Sequence, residues 1–403
     1  MRRIFITSIM SLLAFGLIGC GDLINSTEGN ITQTIEENRE DNTIVETNNS
    51  SSSDETIQLL TKEQLGEALF SDKSLSFNRN ISCASCHEPS QAFVDIRSNG
   101  VDGAVSLGDD NISLGDRNSQ MISYISFSPA FSTDANGSIG GLFWDGRAVD
   151  LVEQAKGPFL NEVEMQMSDV SSVIDRIKES ANYIINFQNL YGESIFDSDD
   201  DAFNALADAI ASFEKSDIFA PFNAKIDKVR QRLATLTDEE LLGQTLFRTK
   251  GCVTCHDDRG DNALFTTFRY ANIGVPKNTL VRELNGKGEA FIDHGLLDNP
   301  NISTPREDGK FKIPSLRNVA ITAPYMHNGK FKNLKTVIHF YNTRDVVGAI
   351  NPETSLPWEE SEVLQTRVRV DKIGDLNMSD SDEDALVAFL KTLTDEAYEN
   401  LIQ

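Results

Sequence analysis

"CASCH", residues 83–87, decides the fold, because the same pattern returns as "CVTCH" at residues 252–256. Each unit sets two thiols three positions apart and places a histidine directly after the second. That spacing is the attachment signature of haem c: the thiols add to the vinyl groups and the imidazole ligates the iron. A zinc knuckle or a redox dithiol also uses C-x-x-C. Here no further cysteine stands near either unit, and no βαβ pattern surrounds them. The chain has five cysteines, and the fifth, Cys20, lies in a different context. None is left for a disulfide. We read two covalent haems, on Cys83 and Cys86 and on Cys252 and Cys255, with His87 and His256 as their axial ligands.

Working outward, the two units share what precedes them. "LTKEQLGEALF" at 60–70 and "LTDEELLGQTLF" at 236–247 both run Leu-Thr, acidic and polar residues, then Leu-Gly and Leu-Phe. Thr61 with Gln64, and Thr237 with Glu240, predict capping-box helix starts. A long apolar-faced helix follows in each half, "DAFNALADAIASFEKS" at 201–216 and "SDSDEDALVAFLKTLTDE" at 379–396. Leu386, Phe389, Leu390 and Leu393 form the apolar face of the latter and are expected to cover the second haem. Strand signals are few. The fold class read from this pattern is mainly α, with two cytochrome c-type helical domains, each with one covalent haem c, at 57–225 and 226–403.

The N-terminus supplies an address. Arg2 and Arg3 precede an apolar run from Ile4 to Ile18, then Gly19 and Cys20. That run is too short for a comfortable membrane span and reads as a signal peptide over 1–19. Its end resembles the lipobox of bacterial lipoproteins, which implies cleavage before Cys20 and lipid on that thiol. Gly21 lacks the aspartate that retains such proteins at the inner membrane, so the outer membrane is favoured, with the domains in the periplasm. Residues 20–56 read as the lipid anchor and a disordered acidic linker with one basic residue, Arg39. As a flexible coil that linker would span about 30–36 Å. The formal charge of −26 argues against nucleic acid and against direct contact with an anionic membrane. It suits a basic partner.

Several motifs in order resemble one family, the bacterial di-haem cytochrome c peroxidases and their MauG-type relatives. They are "LGEALFSDKSLSFNRNISCASCH", "FWDGRAVDLVEQAKGP", "NEVEM", "FKIPSLRNVAITAPYMHNG" and "LVAFLKTLTD", spread over about Leu59 to Thr394. The resemblance implies a peroxide-binding haem in the N-terminal domain, an electron-relay haem in the C-terminal one, and one Ca²⁺ between them. By position it gives Glu164 an acid–base role, Gln154 a positioning role and Trp144 an electron-relay role. Glu162 departs from the proline usual in the family. Asn118 and the carbonyls of Thr322 and Pro324 match the calcium ligands. Arg147 and Arg317 are candidates to pair with haem propionates, a plain salt bridge being the other reading.

The second axial ligand of each haem decides the chemistry. The five histidines are His87, His256, His294, His327 and His339. None lies between His87 and His256, so the N-terminal iron is expected to keep an open position. Where the peroxidase branch supplies methionine to the second haem, this chain has Tyr341, as the MauG-type branch does. Leu334, Val337, Ile338 and Tyr341 share one helical face, and His339 lies on another. A core tyrosine beside a different ligand is the alternative. Lys250 stands where MauG-type proteins carry a surface tryptophan. The leading expectation is hydrogen peroxide reduction with electrons from a small donor such as a cytochrome c or a cupredoxin. A MauG-type oxidant of a partner protein and a non-catalytic electron carrier are the competing readings.

If the lipobox reading holds, Cys20→Ala gives a soluble, fully haem-loaded protein. Fractionation of that variant with membranes in detergent-free buffer refutes it.

Overall fold

The computed structural model describes residues 58–368 and 373–402. The expected leader, Cys20 and the acidic linker lie outside them. Eleven α-helices occur among the described residues: α1 (Lys62–Ser71), α2 (Cys83–Cys86), α3 (Leu151–Leu160), α4 (Val170–Lys178), α5 (Ala181–Tyr191), α6 (Asp199–Phe213), α7 (Lys225–Arg230), α8 (Asp238–Thr249), α9 (Thr279–Leu284), α10 (Leu334–Thr343) and α11 (Asp380–Lys391). Three two-stranded antiparallel hairpins complete the regular structure: β1 (Ser132–Asp134) with β2 (Gly137–Ile139), β3 (Tyr270–Ala271) with β4 (Phe311–Lys312), and β5 (Ile350–Asn351) with β6 (Leu356–Pro357). The chain is mainly helical, as its periodicity predicts.

The repeat seen in the sequence is a repeated helix crossing. Thr61 caps α1 in a capping box with Gln64, and Thr237 caps α8 with Glu240. α1 crosses α6, and α8 crosses α11. Both crossings are made at glycine. A Cβ on Gly66 would fall onto the Ala209 carbonyl and stand 2.9 Å from Phe213 Cβ. A Cβ on Gly243 would fall onto the Ala385 carbonyl and stand 2.8 Å from Phe389 Cβ. Only a residue without a side chain lets the two backbones approach this closely. The phenylalanines that follow the glycines close the pairs: Phe70 meets Phe213, and Phe247 meets Phe389, each at 5.3 Å between ring centroids.

Each crossing organises its own core. Leu65, Leu69, Phe70, Phe159, Phe187 and Leu206 belong to the first, which runs on to Phe219. Ala224 opens the second, with Phe247, Phe265, Phe331, Phe340, Leu386 and Phe389. The halves are tied by buried polar contacts. The Tyr124 hydroxyl donates to Asp395 at 2.6 Å, and Asn318 Nδ2 donates to the other oxygen of that carboxylate at 2.8 Å.

Arg317 lies deep in the second half. Its fully buried guanidinium is paired with Asp227 at 2.7 and 2.8 Å, and Nε donates to the Ala263 carbonyl at 2.9 Å. These protein groups hold the guanidinium in the second half.

Replacing Gly243 by alanine must push α8 off α11. Overpacking of a close core contact costs about 1–3 kcal/mol, or a fall in Tm of several degrees for a domain of this size. A Gly243→Ala protein that melts with the parent in calorimetry would show that the crossing can relax.

Candidate haem and relay site

Both C-x-x-C-H units close the same way. The amide of His87 donates to the Cys83 carbonyl at 2.9 Å, and the amide of His256 donates to the Cys252 carbonyl at 2.9 Å. The imidazoles are then turned by backbone: His87 Nδ1 lies 3.2 Å from the Phe93 carbonyl and His256 Nδ1 lies 2.9 Å from the Phe265 carbonyl. With Nδ1–H donating to these carbonyls, the Nε2 lone pair of each ring is left for a metal. Burial lowers both histidine pKa values, that of His256 to about 4, which keeps the rings in the neutral, ligating form. Burial raises the thiols, Cys86 to about 12 and Cys252 to about 11, so they stand as thiols and not as thiolate ligands. Among the described residues no three His, Cys, Asp or Glu side chains gather to hold a metal ion directly. This donor set fits covalent haem and does not fit zinc.

Around the first unit, Glu164 is the group of interest. It sits in a turn whose Glu164 and Gln166 amides donate to the Asn161 carbonyl at 3.1 Å, while the Glu164 carbonyl accepts from Asp109 at 2.8 Å. Glu162 is exposed, and its carbonyl accepts from Gln166 Nε2 at 2.8 Å, so the turn closes without the family's proline. Glu164 Oε2 is buried with no hydrogen-bond partner among the described residues. Burial raises its pKa, opposed by the Arg147 charge and an Asn161 hydrogen bond. Its charge in turn acts on both Cys83 and Cys86, which places it beside the first attachment site. Gln154 is half-buried on α3. Arg147 lies 3.7 Å over the Phe143 ring and pairs with Asp145 at 2.8 Å, its side chain still well exposed.

Between the two units stands Trp144. Its Nε1 donates to the Asn118 carbonyl at 2.8 Å, and its ring meets His327 edge-on at 6.5 Å. Trp144, Asn118, Thr322 and Pro324 line one cavity of about 120 Å³. Asn118 Nδ2 donates to the Ala104 carbonyl at 3.1 Å, and its amide donates to the His327 carbonyl at 2.7 Å. The structure thus gathers the three residues expected to offer oxygen to calcium, and uncharged oxygens suit a hard cation.

At the second unit, Tyr341 lies on α10. Burial raises its pKa, and Cys255 and Cys252 add to the rise, so the phenol is close to both thiols. His339 is turned away, with Nδ1 2.9 Å from Glu383. Met326 and Met378 pack against the second core. Lys250 Nζ donates to the Leu376 and Asn377 carbonyls at 2.8 and 3.2 Å.

Two buried ionisable groups were not singled out from the sequence. Glu214, at the end of α6, has Oε2 buried without a partner, and burial raises its pKa to about 8. It is the leading charge acting on Cys83. The legible signal was an acid continuing the apolar stripe of α6 four residues after Ile210. Lys312, in the Trp144 cavity, has its pKa lowered to about 7 by burial and bonds Ser128 Oγ at 2.6 Å and the Gly141 carbonyl. Nothing in the motif "FKIP" distinguishes such a lysine from an exposed one.

Residues 60–234 match the family model for di-haem cytochrome c peroxidase. Over 347 residues the chain is 46% identical to the methylamine utilization protein MauG of Paracoccus denitrificans, covering 84% of this chain and 90% of that one. It is 31% identical over 277 residues to the cytochrome c peroxidase Ccp of Escherichia coli, covering 68% of this chain and 51% of that one. Among solved structures, the diheme peroxidase BthA from Burkholderia thailandensis superposes with a TM-score of 0.75 at 29% identity, covering 90% of this chain and 95% of that one. A MauG-like protein associated with microbial copper homeostasis gives 0.63 at 28% identity, covering 86% and 92%.

Glu214 makes stability depend on pH. The folded protein holds its proton up to about pH 8, while an unfolded chain releases it near 4.5. Stability contributed by this group therefore falls as pH rises from about 4.5 to 8. Glu214→Gln, free of that penalty, is expected to melt close to the parent at pH 5 and several degrees above it at pH 8.5. Equal Tm differences at the two pH values would place the carboxyl in water.

Proposed function

The chain belongs to the di-haem cytochrome c peroxidase/MauG family, and from that premise we propose that it reduces hydrogen peroxide at the N-terminal haem c with electrons relayed through the second. The observation that carries this reading is the buried, unpartnered Oε2 of Glu164 beside both thiols of the first unit. It stands in a half of the chain that offers no histidine but His87 before His256. An iron with one protein ligand leaves room for peroxide, and a pure electron carrier has no use for either feature.

When bound, the two haems supply the redox equivalents and the iron to which peroxide binds. The chain's own part is to hold and to move protons. Cys83, Cys86 and His87 would fix the first haem, and Cys252, Cys255, His256 and Tyr341 the second. Glu164, its pKa raised by burial, takes the proton from the inner peroxide oxygen and returns it to the outer one, so that water leaves. Gln154 orients the peroxide. Trp144, which lines the cavity shared with Asn118, Thr322 and Pro324, links the two sites. A Ca²⁺ on Asn118 Oδ1 and the carbonyls of Thr322 and Pro324 would keep that seam in register. Tyr341 is a hard anionic donor once its proton is lost, and such a donor favours the ferric state. This also supports the second reading, a MauG-type oxidant of a partner protein. We place the protein outside the cytoplasm, held to a membrane by lipid on Cys20.

The test is rapid mixing of the all-ferric protein with one equivalent of peroxide, without a reductant. Direct reaction is expected, and Glu164→Gln should slow it by about 10²–10⁴-fold, the range for a lost general acid–base, with both haem spectra intact. A parent that waits for a donor would undo the open first site and the Tyr341 assignment together.

A further inference from the structure

We infer that Lys312 is the counter-ion of a haem propionate in the cavity between the two haem units, and that this carboxylate belongs to the second haem. The inference rests on the di-haem part of the reading above and names a residue that positions one of the two groups. Among the described residues four lysines or arginines are buried: Arg282, Arg317, Arg344 and Lys312. Each arginine has carboxylates for company. Arg317 pairs with Asp227 at 2.7 Å and Arg344 with Asp345 at 3.1 Å, while Asp116, Asp293 and Glu362 stand 3.8 Å from Arg282. Lys312 has none among the described residues. Its Nζ donates to neutral oxygens, Ser128 Oγ at 2.6 Å and the Gly141 carbonyl, and an ammonium has a third proton to place. A buried charge without an opposite partner is costly. No charge offsets that cost here, and burial by itself lowers the lysine pKa to about 7.

The cavity that Lys312 lines points to the anion. Lys312 is the one charged residue in a lining that includes Asn118, Trp144, Phe268 and Pro324. A Ca²⁺ on neutral oxygens there would enlarge the positive excess, not relieve it. Val94 and Gln120 belong to the same lining, and the Gln120 backbone lies against His87. So does Pro314, whose backbone lies against His256. The cavity therefore reaches the ground beside both axial imidazoles. Its volume of about 120 Å³ is well below the roughly 300–1,000 Å³ of an ordinary ligand pocket. It admits a carboxylate arm and excludes a porphyrin ring.

A carboxylate can come from a bound haem or from solvent, and the position of Lys312 favours the haem. Lys312 stands two residues before Pro314, and its Nζ lies 5.8 Å over the Phe268 ring. Phe268 in turn follows Phe265, whose carbonyl takes the His256 Nδ1 proton, by three residues. Both neighbours belong to the second unit. Ser128 and Gly141 come from the first half, so they take two of the ammonium protons and leave the third for the anion. A cation held on that propionate favours the ferrous over the ferric state, because the reduced haem carries one positive charge fewer.

Two measurements on the haem-loaded protein test this, and neither uses peroxide. The first is a crystal structure of the parent. A propionate oxygen of the second haem is expected at about 2.7–2.9 Å from Lys312 Nζ, the distance of a charge-assisted bond. A solvent anion in that place, or no acceptor beyond Ser128 and Gly141, overturns the pairing. The second is spectroelectrochemical titration of both haems in the parent, Lys312→Met and Lys312→Arg. Lys312→Met should lower the reduction equilibrium constant of the second haem about tenfold, or about 59 mV for one electron. The constant of the first haem should move less than about threefold, and Lys312→Arg, which keeps the charge, should leave both within that margin. Equal shifts in the two haems, or none in either, overturn the assignment. A second-haem potential that follows acetate concentration in the parent and not in Lys312→Met would give the lysine to a free anion instead. A haem-loaded protein that ignores peroxide would sink the peroxide-reducing reading alone, and a Lys312 without a propionate would sink this inference alone.

Discussion

Backbone-to-backbone contact at two glycines holds this protein together. Gly66 and Gly243 let α1 and α8 lie directly on the carbonyls of α6 and α11, and the flanking phenylalanines then lock each crossing from the side. α8 ends at Thr249, and Cys252 opens the next turn. The angle of the crossing therefore sets where the thiols and the imidazole point. The carbonyls of Phe93 and Phe265 finish the aim by taking the Nδ1 protons. Among the described residues no cluster of His, Cys, Asp or Glu gathers to hold a metal directly, and the backbone orients the two imidazoles.

Much of this was legible because it is local. Capping boxes at Thr61 and Thr237 depend on residues three apart, and the helices started where those residues said. The Leu-Gly pair was visible as a repeat, although its reason, a carbonyl of a helix far along the chain, was not. What failed to show were partners distant in sequence. Arg317 pairs with Asp227 in α7, and no spacing rule connects the two. Glu214 and Lys312 read as ordinary charges on a helix and a strand. Their burial comes from how the helices and hairpins close over them. The convergence of Asn118 with Thr322 and Pro324 was visible only through family resemblance, since the residues are some two hundred positions apart.

The two halves use the same scaffold to different ends. Beside the first unit the buried groups are carboxyls, Glu164 and Glu214, whose pKa values burial raises. Beside the second stands a half-buried phenol, Tyr341, close to both thiols. The same helix crossing thus carries a different buried chemistry in each half. Trp144 stands on the seam between them.

The bond from Trp144 Nε1 to the Asn118 carbonyl has a consequence for reversibility. An indole that has lost an electron becomes a strong acid at nitrogen, and next to water or a carboxylate it would shed its proton and be trapped as a neutral radical. An amide oxygen is far too weak a base to accept that proton. The cation so formed stays protonated, and a returning electron finds the ring unchanged. In the relay we propose, Trp144 is thus bonded so that charge can cross it repeatedly without leaving a chemical scar.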